Sequence, residues 1–393
     1  MPDKMRLLKL WWRDVCHAVK NYLVRLDKFL LLIAALCCAY GCVLIESAVS
    51  NRSGFGRTLP VQIAAIAVGV VLMIVLSAID YSLYRYFWGL VGAVCLVLLV
   101  LTLIIGRGRA GADDRAWINL GAVSIQPSEF VKIGFAITFS CHCTMMRDKV
   151  SSLPSVILLC VHGLIPVGFV VLQDDLGSAA IFIVIFLAMM FAAGVKLRYF
   201  AAAGIAAAVA APLAWFFLLN DFHRNRILIA FTPEVDPLNV GYQQYYGRMA
   251  IGSGQLSGLG LHNGIQTQSG FISEAQNDYI FAVAGEELGF LGACLILLLL
   301  TVLILRILWI GYRAKNTQGR ILCAAVAAMF ASQMIVNVAM CLCLFPVVGV
   351  TLPFFSAGGS SMVTCWAAIG IAESVRIHSQ PIKLQSGGTV MPE

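Results

Sequence analysis

The chain of 393 residues is 60% hydrophobic and only 12% charged, with a mean hydropathy of +0.88 and a formal net charge of +7. Soluble domains carry roughly a quarter charged residues, so these values exclude a soluble enzyme and describe a polytopic membrane protein without room for a large soluble domain. The positive balance lies in basic loops and gives no reason to expect a nucleic-acid partner.

The N-terminal stretch, residues 1–28, is basic and amphiphilic, carrying Lys4, Arg6, Lys9, Arg13, Lys20, Arg25 and Lys28. The apolar run that follows is long enough to span a bilayer, so it reads as a transmembrane helix and not as a cleaved signal. At about 20 residues per crossing, ten spans are predicted, at roughly 29–49, 59–79, 87–106, 128–146, 154–172, 176–194, 200–219, 278–310, 321–345 and 360–377. The expected fold is an all-α polytopic membrane protein of about ten transmembrane helices. Residues 29–377 form the membrane domain, with a large extracytoplasmic loop at 220–277 between the seventh and eighth helices, and 378–393 form a cytoplasmic tail.

Basic residues favour the cytoplasmic side, which places the N-terminal segment inside and, with ten spans, both termini inside. Arg85, Arg147, Lys149, Lys196, Arg198, Arg306, Arg313, Lys315, Arg320, Arg376 and Lys383 then fall on the same side. The outer loops carry Arg52, Arg57, Arg107, Arg109, Arg115, Arg224, Arg226 and Arg248, and no lysine. Guanidinium is the better fork for phosphate oxygens, although in so small a sample the scarcity of lysine also arises by chance. Nearly all of the 13 cysteines sit in apolar runs, where they act as small hydrophobes. Cys141-His142-Cys143 has ligand types, but adjacent side chains diverge on a helix, and a metal site is not expected there.

Irregular sequence concentrates outside, in 107–127, 220–277 and 346–361. Within the longest loop, "AIGSGQLSGLGLHNG" spaces glycines at 252, 254, 258, 260 and 264. Such density suits close backbone approach, a re-entrant segment or a plain flexible loop. It follows no strand, so a nucleotide-binding loop is excluded by context.

Ionisable residues inside a span are costly and need a partner or a wet cavity. Glu129 and Lys132 share one face of the fourth span, either as a self-neutralising pair or as an oriented cation for an anionic ligand. Asp174-Asp175 reads as a turn and helix N-cap, or as a cation or hydroxyl contact. In "ISEAQNDYIFAVAGEELG" (272–289), Glu286 and Glu287 lie two turns into the span and read as structural, paired with another span through Arg or backbone donors. Asp278 stands at the mouth of that span, downstream of Arg224, Arg226 and Arg248. It reads either as a helix cap or as a base for a hydroxyl held beside a phosphate.

These segments together resemble the SEDS family (shape, elongation, division and sporulation proteins) of bacterial peptidoglycan glycosyltransferases. The resemblance runs from about Phe29 to Arg376. It rests on "RAWINLGAVSIQPSEFVK" (115–132), "QDDLGSA" (173–179), "RNRILIAFTPEVDPLNVGYQ" (224–243), "AIGSG" (250–254), "ISEAQNDYIFAVAGEELGFLG" (272–292) and "FPVVGVTLPFFSAGGSS" (345–361). The "PEVDP" and "AIGSG" wording is nearest the elongation (RodA) branch, with division (FtsW-like) and sporulation (SpoVE-like) paralogues as alternatives.

Membership would imply polymerisation of lipid II, an undecaprenyl-pyrophosphate-linked disaccharide pentapeptide, on the outer membrane face. It implies Asp278 as the catalytic base on the sugar 4-hydroxyl, Trp117 as an important outer-loop residue, and Glu129 with Lys132 in the central cavity. Arg115, Arg224, Arg226, Arg248, Glu274, Ser356 and Ser360 complete the expected substrate-binding set. A class B penicillin-binding protein (a transpeptidase) and other elongation-complex membrane proteins are the implied partners. The chain departs from the family pattern at Gln276-Asn277, where His-Thr is usual, at Ser273, where Pro is usual, and at Ala357, where Tyr is usual.

The chemistry is coherent with one carboxylate. Transfer from a pyrophosphate needs a base for the incoming hydroxyl and positive charge for the departing diphosphate, from Arg, Lys or a divalent ion such as Mg²⁺ or Mn²⁺. No second carboxylic acid is required, because pyrophosphate leaves without protonation. A lipid II flippase or transporter also fits ten spans with intramembrane charge, as does a catalytically silent scaffold for a transpeptidase. The outer placement of the reactive residues and the lack of an inverted repeat favour the enzyme.

Overall fold

The computed structural model describes residues 20, 22–52, 54, 56–108, 115–119, 121, 124–217, 221–236, 238–239 and 241–379. Most of the N-terminal basic segment and the tail from 380 therefore lie outside the described residues, as does the side chain of Arg226.

Ten helices correspond to the ten predicted spans: α1 (Lys28–Val49), α2 (Thr58–Ala78), α3 (Tyr84–Ile105), α4 (Pro127–Met146), α5 (Leu153–Val171), α6 (Leu176–Ala192), α7 (Leu197–Phe217), α12 (Gly289–Tyr312), α13 (Thr317–Cys341) and α14 (Gly359–Ser379). Among the described residues, seven of them are long and apolar enough to cross a membrane; the other three are α4, α6 and α14. Of these, α4 and α14 are interior helices, whereas α6 is apolar but only 17 residues long. Buried Glu129, Lys132 and Thr138 on α4, and Thr364, Glu373 and Ser374 on α14, lower their hydropathy because they face protein instead of lipid. The outer helices show the reverse pattern. Val68, Val71 and Val75 of α2 and Phe87, Leu90, Val94 and Val97 of α3 are exposed, forming an apolar surface suited to lipid.

Helix starts follow local chemistry. Asp27 caps α1 by accepting from the Phe29 and Leu30 amides at 3.2 Å each, and Asn316 caps α13 by accepting from Gly319 at 3.0 Å. The Asp27 side chain also receives Arg306 at 2.8 Å and Arg376 at 3.4 Å, while its amide donates to Glu373, which ties α1, α12 and α14 together at one end. In the middle of the bundle His142 of α4 meets His162 of α5, Nδ1 to Nδ1, at 2.9 Å.

The other end of the bundle carries the irregular chain. A two-stranded antiparallel ribbon, β1 (Ile118–Asn119) and β2 (Ser124–Ile125), precedes α4. The long loop over 220–277 carries α8 (Asp221–Phe231), α9 (Tyr242–Ser253) and the short α10 (Ile265–Gln268).

The eighth span departs from the expected single helix over 278–310. It divides into α11 (Ile280–Glu287) and α12, and the break falls at Gly289, whose φ of +68° only glycine adopts without strain. The glycine-rich segment fills that break. Leu259 and Gly260 amides donate to the carbonyls of Glu286 and Glu287 at 3.0 and 2.9 Å, and Phe290 donates to Gln255 at 2.8 Å. A methyl group on Gly254 would stand 1.9 Å from the Gly285 carbonyl oxygen, so these glycines serve chain-to-chain contact.

Candidate active site

The turn 272–279 leads into α11 and is clamped from several sides. Within it, the amides of Asn277 and Tyr279 donate to the Glu274 carbonyl at 3.1 and 3.2 Å, and Asn277 Nδ2 donates to the Glu274 carboxylate at 2.6 Å. Arg52, from the α1–α2 connection, donates to the carbonyl of Ser273 at 2.8 Å, to that of Ile272 and to Gln276 Oε1 at 3.3 Å. From the opposite side Ser356 Oγ donates to the Asn277 carbonyl at 2.6 Å, and the Ala357 amide donates to the Gln276 carbonyl at 2.8 Å. Gln62 of α2 holds that second turn, donating to the Ser356 carbonyl at 3.1 Å and accepting from the Gly358 amide at 3.1 Å.

Asp278 sits at the focus of this clamp, 7% exposed. Its carbonyl accepts from Asn337 Nδ2 of α13 at 2.8 Å, and the same nitrogen donates to Val350 at 2.7 Å, so one amide group positions both the acidic turn and the 345–358 segment. The carboxylate faces Gly349, where an added methyl group would meet Asp278 Oδ2 at 3.6 Å.

A second polar group lies on the other side of the same segment. Lys132 Nζ and Glu129 Oε1 are 2.7 Å apart and almost wholly buried. Gln126 donates through Nε2 to Asp175 Oδ2 at 3.0 Å and through its amide to Ser360 Oγ at 3.2 Å. Asp175 caps α6 through the Ser178 amide at 2.9 Å, which matches the capping expectation. Burial pushes its carboxyl above the usual range, against the pull of Ser178 and Lys132. A methyl group on Gly177 would lie 2.3 Å from the Val348 carbonyl oxygen. Val348 therefore rests on the α6 terminus while Gly349 borders Asp278, and the segment joins the two groups.

The remaining expected residues are distributed around this end. Trp117 is half-buried and bridges Arg107 through paired backbone hydrogen bonds at 2.8 and 3.2 Å. Arg115 is exposed and anchored by its amide to the Gln173 carbonyl at 2.9 Å. Arg224 donates to the carbonyls of Trp215 and Phe216 at 2.9 and 3.2 Å, and Arg248 pairs with Glu234. Glu286 accepts from the Gln266 and Thr267 amides at 2.7 and 2.9 Å and from the Thr267 hydroxyl at 2.7 Å. Glu287 accepts from Ser47 and from Gln268 at 2.8 Å. Of the partners read from the sequence, the structure supplies backbone donors to Glu286 and another span, through Ser47 of α1, to Glu287. Among the described residues, no group of three or more His, Cys, Asp or Glu side chains could hold a metal ion.

Arg52, Gln62, Gln126 and Asn337 escaped the sequence reading. Gln62 and Asn337 carried a signal, since each is a polar residue within an apolar run. Arg52 carried only its membership of the outer arginines, and its role depends on chain brought in from 220 residues away.

Fold and site together define a polytopic helical membrane protein with a buried acidic site at one end of its bundle. Residues 27–381 match the family model of the cell cycle proteins of the FtsW, RodA and SpoVE type, and the chain belongs to that family. It is 35% identical to peptidoglycan glycosyltransferase MrdB of Escherichia coli K12 over 356 residues, covering 90% of this chain and 94% of that protein. Stage V sporulation protein E of Bacillus subtilis is 32% identical, with 81% and 87% covered. Among solved structures, a chain described under "Structural coordination of polymerization and crosslinking by a peptidoglycan synthase complex" matches with a TM-score of 0.78 and 26% identity, covering 90% of this chain and 98% of that one. The rod shape determining protein RodA of Thermus thermophilus shares the fold at a TM-score of 0.67 and 24% identity, covering 91% and 98%.

Proposed function

We propose that this protein is a peptidoglycan glycosyltransferase that polymerises lipid II at the outer face of the cytoplasmic membrane, serving cell elongation and shape. The observation that carries the reading is the placement of Asp278, buried in a turn that three separate parts of the chain hold in position. Asp278 takes the proton of the acceptor 4-hydroxyl as that oxygen bonds to the donor anomeric carbon. The bond from that carbon to pyrophosphate breaks, and the diphosphate leaves with its electron pair. Lys132, oriented by Glu129, and the outer arginines Arg115, Arg224, Arg226 and Arg248 supply positive charge to the diphosphate. Trp117, Glu274, Ser356 and Ser360 bind or shape the substrate region.

In this reading residues 29–377 are the membrane domain, 220–277 face outward, and the segments 1–28 and 378–393 lie in the cytoplasm. The likeness to a chain of a synthase complex and the relatives' names support a class B penicillin-binding protein as partner, together with other elongation-complex membrane proteins. The test uses purified protein with its transpeptidase partner and labelled lipid II. Wild type should make glycan polymer and Asp278→Asn should make none while remaining folded. If neither makes polymer but labelled lipid II crosses liposomes equally with both, a transporter replaces the enzyme.

A further inference from the structure

Beside the acidic turn lies an aromatic surface that the proposed chemistry does not use. Tyr242 and Tyr246 of α9 have ring centroids 4.7 Å apart, and Tyr245 meets Tyr246 edge-on at 5.4 Å and 88°. Tyr246 stacks on Phe271 at 5.0 Å with only 5° between the planes. Phe271 is 41% exposed, although it ends a row of packed rings, and the three tyrosines are half-buried. Gly270, at φ +77°, turns the chain immediately before it.

Three contacts fix this surface to the site. Gly247 packs so closely on the Tyr279 ring that an added methyl group would stand 2.6 Å from it, and Tyr279 follows Asp278 directly. Gln243, between Tyr242 and Gln244 on α9, donates to Ser273 Oγ at 2.7 Å, at the start of the acidic turn. Phe271 itself precedes that turn by one residue. The result is a cluster of rings joined to the acidic turn, in which Phe271 lies parallel to Tyr246 and stays partly exposed while Tyr242 is tilted and Tyr245 edge-on to Tyr246. Aromatic faces carry negative charge density and attract the positively polarised C–H groups that line one face of a pyranose ring. Large exposed apolar faces rimmed by polar groups mark binding sites.

We propose that Tyr242, Tyr245, Tyr246 and Phe271 form a sugar-stacking platform that holds the glycan strand beyond the reacting pair of sugars. This rests on the polymerase reading above. By keeping the strand beside Asp278 between additions, the platform lengthens the strands made before release.

The test uses the protein with its transpeptidase partner in lipid nanodiscs, and soluble peptidoglycan glycan fragments lacking lipid and pyrophosphate as the probe. The emission of Phe271→Trp should shift on adding fragments and saturate. Phe271→Ala should weaken fragment binding about fivefold, the size of one aromatic stacking contact, and shorten the strands made from lipid II, whereas Phe271→Tyr should restore both. Wild-type strand length in Phe271→Ala, together with no fragment-dependent emission from Phe271→Trp, would overturn the platform. So would emission that follows the nanodisc headgroup composition and ignores glycan, which would make the cluster a membrane-interface anchor. If fragments bind as expected but wild type makes no polymer, the polymerase reading fails and the sugar surface stands.

Discussion

Removing the Glu286 carboxylate should release the glycine-rich loop without touching the 272–279 turn directly. Three donors converge on that carboxylate at 2.7–2.9 Å, two of them backbone amides, and the side chain is fully buried. Leaving a buried donor unsatisfied costs about 1–3 kcal/mol. Glu286→Ala should therefore weaken local closure by roughly 3–6 kcal/mol, allowing for partial rehydration of the opened amides. At 1.4 kcal/mol per decade, exchange of the Gln266 and Thr267 amides should accelerate by about two to four orders of magnitude. Hydrogen exchange with mass spectrometry on peptides spanning 259–270 in nanodiscs measures this, with peptides from α6 as an unaffected reference. Exchange in 259–270 within threefold of wild type would show that Glu286 does not hold the loop, and the division of the acidic cluster into one base and two structural anchors would fail.

Other substitutions probe other joints. Gly289→Ala forces a side chain into a left-handed conformation and within 2.3 Å of the Gly258 amide nitrogen; it should lower the thermal midpoint and cost more than about 1 kcal/mol, as thermal unfolding in detergent would measure. Lys132→Met strands the buried Glu129 carboxylate and should destabilise by about 3–5 kcal/mol, with Glu129→Gln added to it recovering much of that loss in the same denaturation assay. Asn337→Leu keeps the volume of α13 but removes the donor to Asp278 and Val350. It should reduce kcat on the order of a hundredfold through misplacement of the proposed base, and lower fold stability by about 1–3 kcal/mol for each buried carbonyl left without this donor.

The spans were legible because a bilayer demands long apolar runs, and no other environment rewards them so uniformly. The same rule marked Glu129, Lys132 and Glu286 as residues needing partners, and it set Asp278 apart from its acidic neighbours by position. One feature was misjudged and another left open, each for a physical reason. The eighth span is apolar on both sides of Gly289, so composition alone could not reveal the break. The glycines of 254–264 carry the same signature whether they approach a ligand or another stretch of backbone, and here they approach α11 and α12.

The sequence by itself determined a helical membrane protein, its order of spans, and the acidic turn at the mouth of the eighth. Those follow from local hydropathy and charge, which each segment carries wherever it folds. Only the tertiary structure decided that Arg52, Ser356 and Asn337 would meet around one aspartate, and that four aromatic rings would gather beside it. Such contacts join residues tens to hundreds of positions apart, and they depend on how the helices pack, which no local pattern encodes.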